Sequence, residues 1–195
     1  MLHRALLING QWYYGIGPRF SKSNPATNEL LWESNEAHAS DVDRAVAAAR
    51  DAGLNAIDTA DVYAGGESER IVGRLIAGDR SRWVLASKLA NPIGREPNDR
   101  GTSRRWLVHA LDASLKRLGT DWIDLYYLHR DDEVTPVEET VETLGRLIAS
   151  GKILYWGVSN FRAWRVARIV ECARRMGVPG PIACQPPYNA MTRGI

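Results

Sequence analysis

Hydrophobic and polar positions divide this chain into two parts with different periodicity. Up to about residue 39, short apolar runs alternate with turn-forming residues, and ALLI and QWYY flank Asn9-Gly10, a pair typical of a two-residue β-hairpin. A turn and a further short strand are expected in NPATNELLW. From Ser40 onwards, continuous apolar runs alternate with amphipathic segments of helical period. We therefore expect an N-terminal hairpin segment, residues 1–39, and a second segment, residues 40–195.

The second segment predicts five β-strands separated by helices. The strands are LNAID, WVLASK, WIDLYYLH, ILYWGVS and PIACQ. Continuous apolar strands that alternate with amphipathic helices are typical of a parallel sheet covered by helices. The spacing suits both a doubly wound sheet and a TIM barrel, but no GxGxxG follows any strand, which weakens the doubly wound alternative. The predicted fold is α/β, a partial (β/α)8 TIM barrel of about five parallel strands with an N-terminal β-hairpin segment.

Two helix starts carry capping residues. Ser40 is predicted to be the N-cap of the helix that begins DVDRAVAAAR, and Gly53 is predicted to end that helix. Thr135-Pro136-Val137-Glu138 has the pattern of a capping box with proline at the first helical position.

Composition narrows the classes of partner. The net charge is +2, from 25 basic and 23 acidic residues, and no basic cluster is interleaved with aromatic residues, which argues against nucleic acid as the main partner. The two cysteines, Cys172 and Cys184, have no metal-ligand spacing and are expected to be small core residues. No apolar run is long enough for a signal peptide or a membrane span, so the expected location is cytoplasmic.

Polar residues stand at the end of each predicted strand. They are Asp58, Lys88, His129, Ser159 with Asn160, and Gln185. In a (β/α) barrel, the carboxyl ends of the strands converge on one face, where active sites are built. Each residue alone has an ordinary explanation: Asp58 caps a turn, His129 is a satisfied core histidine, and Asn160 is the N-cap of the helix beginning at Phe161.

Lys88 is the hardest of these residues to explain as structural. It directly follows the apolar run WVLAS in a chain that has 25 basic residues, most of them arginine. A buried lysine needs a carboxylate partner, and Asp58 on a neighbouring strand end is the expected one. Polar residues at five consecutive strand ends therefore favour a reactive site over five coincidences.

The predicted arrangement suggests carbonyl reduction. Tyr63 lies five residues beyond Asp58, on the loop over the same face. An ammonium stabilises a phenolate and makes a phenol a better acid, so Lys88 would help Tyr63 protonate a carbonyl oxygen as hydride reaches the carbon. His129 would orient the carbonyl by a hydrogen bond. A cofactor must supply the hydride, because no side chain does.

At this point the chain resembles a known family, the aldo-keto reductases. DAGLNAIDTADVYAGGESERIVGRLI resembles the family's first catalytic block, and its catalytic tetrad falls on Asp58, Tyr63, Lys88 and His129. GKILYWGVSNF and CQPPYN resemble the blocks that contact the nicotinamide carboxamide. The residues that match are Ser159, Asn160 and Gln185. The resemblance covers about residues 40–193 and implies NADPH-dependent reduction of aldehydes or ketones, or the reverse oxidation.

Two departures from the family pattern are expected to matter. The family's seventh and eighth strands, which hold the cofactor phosphates, and its first strand have no counterpart. We therefore expect an open half-barrel that self-associates through exposed barrel edges or needs the missing strands from elsewhere. We also expect weak or absent NADPH binding. In place of the first strand, about residues 5–50 resemble the start of an aldehyde dehydrogenase. Trp83, Asn91 and Tyr188 are further candidates for the pocket wall.

Two functions of different class stay open. The first is an NADPH-dependent reductase of aldehydes or ketones. The second is a catalytically inactive truncated or fused fragment that lacks the cofactor-binding half and acts at most as an interaction module. A third alternative, an aldehyde dehydrogenase fragment, accounts only for about the first 50 residues.

Overall fold

The structure, a computed structural model, describes residues 6–187 and Met191. It forms two compact units, Met1–Asn55 and Ala56–Ile195. The division of the sequence into segments 1–39 and 40–195 stays a prediction of domain organisation.

Unit 1 contains two antiparallel hairpins. Its strands are β1 (Leu6–Ile8), β2 (Gln11–Tyr13), β3 (Arg19–Ser23) and β4 (Leu30–Asn35). Strand β1 pairs with β2 and strand β3 with β4. Asn9 and Gly10 between β1 and β2 have φ of 50° and 73°, the positive values that this two-residue turn requires. The hairpin predicted at Asn9-Gly10 is confirmed. Strand β4 begins in the predicted NPATNELLW segment and extends beyond it to Asn35, whereas β3 was not predicted.

The helix of unit 1, α1 (Ala39–Asp51), begins earlier than predicted. His38 is the N-cap residue, and its ring accepts a hydrogen bond from the backbone of Ser40. The prediction of Ser40 as N-cap is therefore wrong, because Ser40 already lies in the first turn. The Asp41 carboxylate accepts hydrogen bonds from the backbone N–H of His38 (3.0 Å) and of Ile16 (3.3 Å). These bonds, that of His38 foremost, hold the pKa of Asp41 below its usual value.

Unit 2 is a parallel sheet covered by helices. The strands are β5 (Ala56–Asp58), β6 (Val84–Leu89), β7 (Ile123–Leu128), β8 (Ile153–Ser159) and β9 (Ala183–Gln185). They pair in the order β5-β6-β7-β8-β9, all parallel. The helices are α2 (Glu67–Ile76), α3 (Arg104–Leu118), α4 (Val137–Ala149) and α5 (Ala163–Met176). This half-barrel of five strands, with hairpins in the N-terminal unit, confirms the predicted fold class.

The core of unit 2 lies between the central strands and the helices. Leu85, Leu128 and Trp156, on β6, β7 and β8, are almost completely buried, as is Leu111 on α3. Burial of such large apolar side chains stabilises each by roughly 1.5–3 kcal/mol. Continuous apolar strands thus become the buried middle of the sheet.

Helix α4 does not begin with the predicted capping box. Its N-cap is Pro136, which has no side-chain acceptor, and the Thr135 hydroxyl donates instead to Asp132 (2.7 Å). The capping-box prediction is wrong because the Asp132 carboxylate, three residues earlier, accepts the hydrogen bond of the threonine. Thr135 therefore fixes the loop after β7 rather than the start of the helix.

Within the described part of the chain, no helix combines the length and apolarity needed to span a bilayer, and no three metal-ligating side chains cluster. Cys172 is buried as predicted, whereas Cys184 is exposed on β9, contrary to the prediction of a core position. Among the described strands, β9 pairs only with β8, which explains the exposure of its side chains. Self-association through the barrel edges stays a prediction.

Candidate active site

The parallel sheet brings the polar strand ends to one edge. In register, Asp58 pairs with Ala86, Lys88 with Tyr127, and Ser159 with Gln185. Because all five strands run the same way, their carboxyl ends lie at the same edge of the sheet. The side chains of Asp58, Tyr63, Lys88 and His129 meet there, and we refer to these four residues as the tetrad.

Lys88 is at the centre of the tetrad and is 1% exposed. Its ammonium donates to Asp58 Oδ2 (2.5 Å), to the Thr59 carbonyl (3.0 Å) and to the Tyr63 hydroxyl (3.3 Å). These contacts use all three donors of the ammonium. A buried charge is tolerated only when it is paired and hydrogen-bonded. The expected Asp58–Lys88 pair is therefore present, and it leaves one lysine donor directed at the tyrosine.

Tyr63 reaches the ammonium from a tight turn. The residues of this 3₁₀ turn, Tyr63–Gly66, include Ala64, Gly65 and Gly66 with φ of 49°, 63° and 89°. Side chains other than glycine rarely adopt such angles, so the two glycines permit a turn short enough to keep the Tyr63 hydroxyl over the sheet edge. The tyrosine side chain is partly exposed, which leaves it open to a molecule arriving from solvent.

His129 stands on the other side of Tyr63. The two rings meet edge to face, with centroids 5.7 Å apart and planes at 81°. The His129 backbone N–H donates to the Leu89 carbonyl (2.8 Å), which anchors the residue to β6. Burial, and next the positive charge of Lys88, lower the pKa of His129 below its ordinary value. The ring is therefore neutral at neutral pH. Its Nδ1 is buried without a hydrogen-bond partner among the described residues, which leaves Nε2 as the nitrogen for a ligand.

Ser159, Asn160 and Gln185 lie together at the ends of β8 and β9. The Ser159 hydroxyl donates to the Gln185 carbonyl (3.0 Å), and the Asn160 backbone N–H donates to the same oxygen (3.3 Å). Asn160 Nδ2 donates to the His129 carbonyl (2.9 Å) and to Ser159 Oγ (3.1 Å). Asn160 has φ of 60°, a left-handed conformation that asparagine tolerates. These three candidate cofactor residues are thus tied directly to the tetrad.

The other residues proposed from the sequence lie outside the tetrad or have a different role from the one expected. Asn160 does not cap a helix, because α5 begins at Ala163 with Arg162 as its N-cap. Trp83 is buried just before β6, at the opposite end of the strand from Lys88, so it does not line the site. Asn91 lies in the loop after β6. Tyr188 lies outside the described residues.

Sequence reasoning missed a second buried charge cluster behind the sheet edge. Glu69 on α2 is fully buried, and it accepts hydrogen bonds from Arg117 Nε (2.6 Å) and the Ser87 hydroxyl (2.6 Å). Asp61 is 1% exposed, and neither of its side-chain oxygens has a partner among the described residues. Burial, and next the Glu69 carboxylate, raise the pKa of Asp61 to about 7. In the sequence, these residues look like the ordinary polar face of a loop and two helices.

Comparisons with known proteins agree on one family. The family model described as "Aldo/keto reductase family" matches residues 27–194. The chain is 34% identical over 194 residues to L-glyceraldehyde 3-phosphate reductase of Escherichia coli (strain K12), which covers 95% of this chain and 56% of that protein. It is 40% identical over 151 residues to aldo-keto reductase YhdN of Bacillus subtilis (strain 168), covering 76% and 44%.

A further relative has a different kind of name. The chain is 44% identical over 149 residues to a probable voltage-gated potassium channel subunit beta of Oryza sativa subsp. japonica, which covers 75% of this chain and 45% of that protein. The chain therefore spans about half the length of the curated relatives it matches. The expected aldehyde dehydrogenase resemblance of about residues 5–50 finds no support: the family match starts at residue 27, and the Escherichia coli reductase aligns over 95% of the chain.

Proposed function

We propose that this chain, which belongs to the aldo/keto reductase family, catalyses the NADPH-dependent reduction of aldehydes or ketones to alcohols. The observation that carries the proposal is the buried Lys88 ammonium, which contacts both Asp58 (2.5 Å) and the Tyr63 hydroxyl (3.3 Å) at an open sheet edge. An acid of this kind, positioned beside a buried cation, suits proton delivery to an oxygen that gains negative charge.

The tetrad divides the work of proton delivery. Tyr63 donates its proton to the carbonyl oxygen while the carbonyl carbon accepts hydride, so that C=O becomes CH–OH. The Lys88 ammonium stabilises the phenolate that remains on Tyr63, and Asp58 holds that ammonium in place. Neutral His129 donates a hydrogen bond to the carbonyl oxygen and fixes its direction towards Tyr63.

The cofactor residues are assigned on the same basis. A nicotinamide cofactor supplies the hydride when bound. Both Nδ2 hydrogens of Asn160 have acceptors, while its Oδ1 accepts no hydrogen bond from a described residue. This oxygen and the exposed side chain of Gln185 suit the amide group of a nicotinamide, and Ser159 holds the two residues in register. NADPH rather than NADH is part of the proposal, as is a small carbonyl substrate.

The test is reduction of a panel of aldehydes and ketones by the purified chain, followed by NADPH absorbance. Tyr63→Phe should lower kcat by about 10²–10⁴-fold, the usual contribution of one general acid. Tyr155→Phe is the matched control, since Tyr155 is an exposed tyrosine on β8. Equal rates for the parent and Tyr63→Phe would reject Tyr63 as the acid. No turnover of any carbonyl, with the fold intact, would favour the alternative of a non-catalytic interaction module.

A further inference from the structure

A cavity of about 760 Å³ lies beside the tetrad, and we refer to it as the loop cavity. The loops that follow β6, β7 and β8 form its wall, within residues 90–103, 130–135 and 160–162. Asn160 belongs to this wall and donates to the His129 carbonyl. Arg130 directly follows His129, so their Cα atoms are only about 3.8 Å apart. Asn160 and Arg130 therefore connect the loop cavity to the His129 side of the tetrad.

Three arginines line the loop cavity without a partner. They are Arg100, Arg130 and Arg162, one from each of the three loops. Within residues 6–187, none of their guanidinium groups makes an ion pair or a hydrogen bond. The neighbouring Arg104 and Arg165 differ, because they pair with Glu142 and Asp131. The loop cavity is therefore lined by three exposed arginines whose guanidinium donors have no partner in the described part of the chain and are free for a ligand.

Carboxylates in the same wall do not cancel these charges. Asp131 is paired with Arg165, Nε to Oδ1 at 2.9 Å. Asp132 is bound by the Thr135 hydroxyl and by backbone N–H groups of the surrounding loops, which occupy both of its oxygens. Glu133 alone among the three is exposed and has no partner in the described part of the chain. The charge available to a ligand is consequently positive.

The close contact of two loops keeps the wall in shape. Gly101 has φ of 83°, and a Cβ at this position would come within 2.6 Å of Asp132 Oδ2. The backbone N–H of Thr102 donates to the same oxygen (2.8 Å). Only glycine permits this approach, which fixes the Arg100 loop against the loop that carries Arg130.

We propose that the loop cavity binds the phosphate group of a phosphorylated carbonyl substrate through Arg100, Arg130 and Arg162. Guanidinium groups match phosphate oxygens in charge and in bidentate geometry. The carbonyl end of this assignment rests on the proposed reductase function, whereas the phosphate site stands on the loop cavity alone. The substrate class is short aldehydes or ketones with a phosphate at the far end.

The first experiment measures binding without catalysis. Inorganic phosphate is titrated into the purified chain by calorimetry, and we expect saturable binding that Arg130→Gln or Arg162→Gln weakens by about tenfold or more each, as for loss of a charged hydrogen bond. Arg168→Gln is the matched control, because Arg168 is an exposed arginine of α5 outside the loop cavity. No saturable binding, or an equal loss in Arg168→Gln, would overturn the phosphate site. Acetate that binds as tightly as phosphate would overturn the preference for phosphate.

The second experiment separates the site from the reductase function. Arg162→Gln should raise KM for a phosphorylated aldehyde by about tenfold and leave KM for an uncharged aldehyde of equal length unchanged. Phosphate binding that depends on the arginines, without turnover of any aldehyde, would reject the reductase proposal and uphold the phosphate site. Turnover of both aldehydes with equal KM would reject the phosphate site and uphold the reductase.

Discussion

Asp58 and Asp61 lie three residues apart in the chain and have opposite surroundings. Asp58 is partly exposed and receives the Lys88 ammonium at 2.5 Å. Asp61 is buried, and its oxygens have no partner within the described residues. Arg117, the cation that most lowers the pKa of Asp61, is already bound to Glu69 (2.6 Å). The same type of side chain is therefore paired with a cation in one place and left without one in the other.

The two aspartates belong to two kinds of ion pair, one that a substrate can reach and one that only stabilises the fold. The Lys88–Asp58 pair has one side open to solvent, so a substrate can approach it and use the cation. The Arg117–Glu69 pair is closed, so it contributes only to the integrity of the sheet edge. If Asp61 were ionised, this closed cluster would contain two carboxylates and one cation. Protonation of Asp61 restores neutrality, which agrees with the raised pKa of about 7.

The largest expected effect is on the open pair. Lys88→Met removes the cation beside Tyr63 and should lower the rate of carbonyl reduction by about 10²–10⁴-fold. Lys88→Arg should also fail, since a planar guanidinium does not replace a compact ammonium. NADPH oxidation with an aldehyde measures the rate, and circular dichroism confirms that each variant is folded. Lys152→Met, at an exposed lysine, is the control. A Lys88→Met variant with the parent's rate would show that Tyr63 needs no cation.

The closed pair should instead determine stability. Arg117→Met leaves the buried Glu69 carboxylate with only the Ser87 hydroxyl, and the free energy of unfolding should fall by about 3–5 kcal/mol. Urea denaturation of the purified chain measures the change. The double variant Glu69→Gln/Arg117→Met should recover part of the loss, because it leaves no unpaired charge. A loss below about 1 kcal/mol in Arg117→Met would mean that the cluster is solvated.

Asp61 should make stability depend on pH. Its pKa in the folded chain, about 7, exceeds the ordinary value of 3.8, so the folded state binds its proton more tightly than the unfolded state. The contribution to stability is full below about pH 4 and is lost as the pH rises through 7. Asp61→Asn cannot ionise, and each pKa unit corresponds to about 1.4 kcal/mol. As the pH rises from 5 to 8, the free energy of unfolding of the variant should therefore increase relative to that of the parent by a few kcal/mol, roughly.

The parent and Asp61→Asn are each denatured with urea at pH 5, 6, 7 and 8, and the gain is the difference between their free energies of unfolding at each pH. The difference removes the contribution of other titrating groups such as His129, whose lowered pKa acts in the opposite direction. Asp112→Asn, at an exposed carboxylate, is the control variant. A difference that does not change with pH for Asp61→Asn would mean that Asp61 is ionised at pH 5.

The open pair, Lys88–Asp58, and the closed pair, Arg117–Glu69, also differ in how far the sequence predicts them. Asp58 and Lys88 each lie at the carboxyl end of an apolar strand, and parallel strands place such residues at one edge, so their meeting was predictable. Glu69 and Arg117 lie on two different helices, and an amphipathic helix presents many charged residues to solvent. Only the packing of α2 against α3, which depends on distant contacts, decides which of these charges becomes buried.

The prediction of the fold was wrong at two helix starts, where side chains compete for the same hydrogen bonds. The alternation of apolar and polar residues was enough for the five parallel strands and for the hairpin at Asn9-Gly10. It was not enough for the helix starts at His38 and Pro136. There, the histidine ring takes the cap position, and Asp132 binds the hydroxyl of Thr135. Local propensity predicts a capping residue but does not predict its competitors.

The smallest expected effect belongs to an ion pair outside both clusters. Lys152 and Asp112 are paired at 2.7 Å, with side chains that are 42% and 52% exposed. Lys152→Met should lower the free energy of unfolding by less than about 1 kcal/mol, because water and salt screen an exposed pair. Urea denaturation at low and high salt measures this, and the small loss should disappear at high salt. The loss in Arg117→Met should persist at high salt, because a buried pair is poorly screened. If both losses vanished together, burial would not be what separates the closed cluster from the surface.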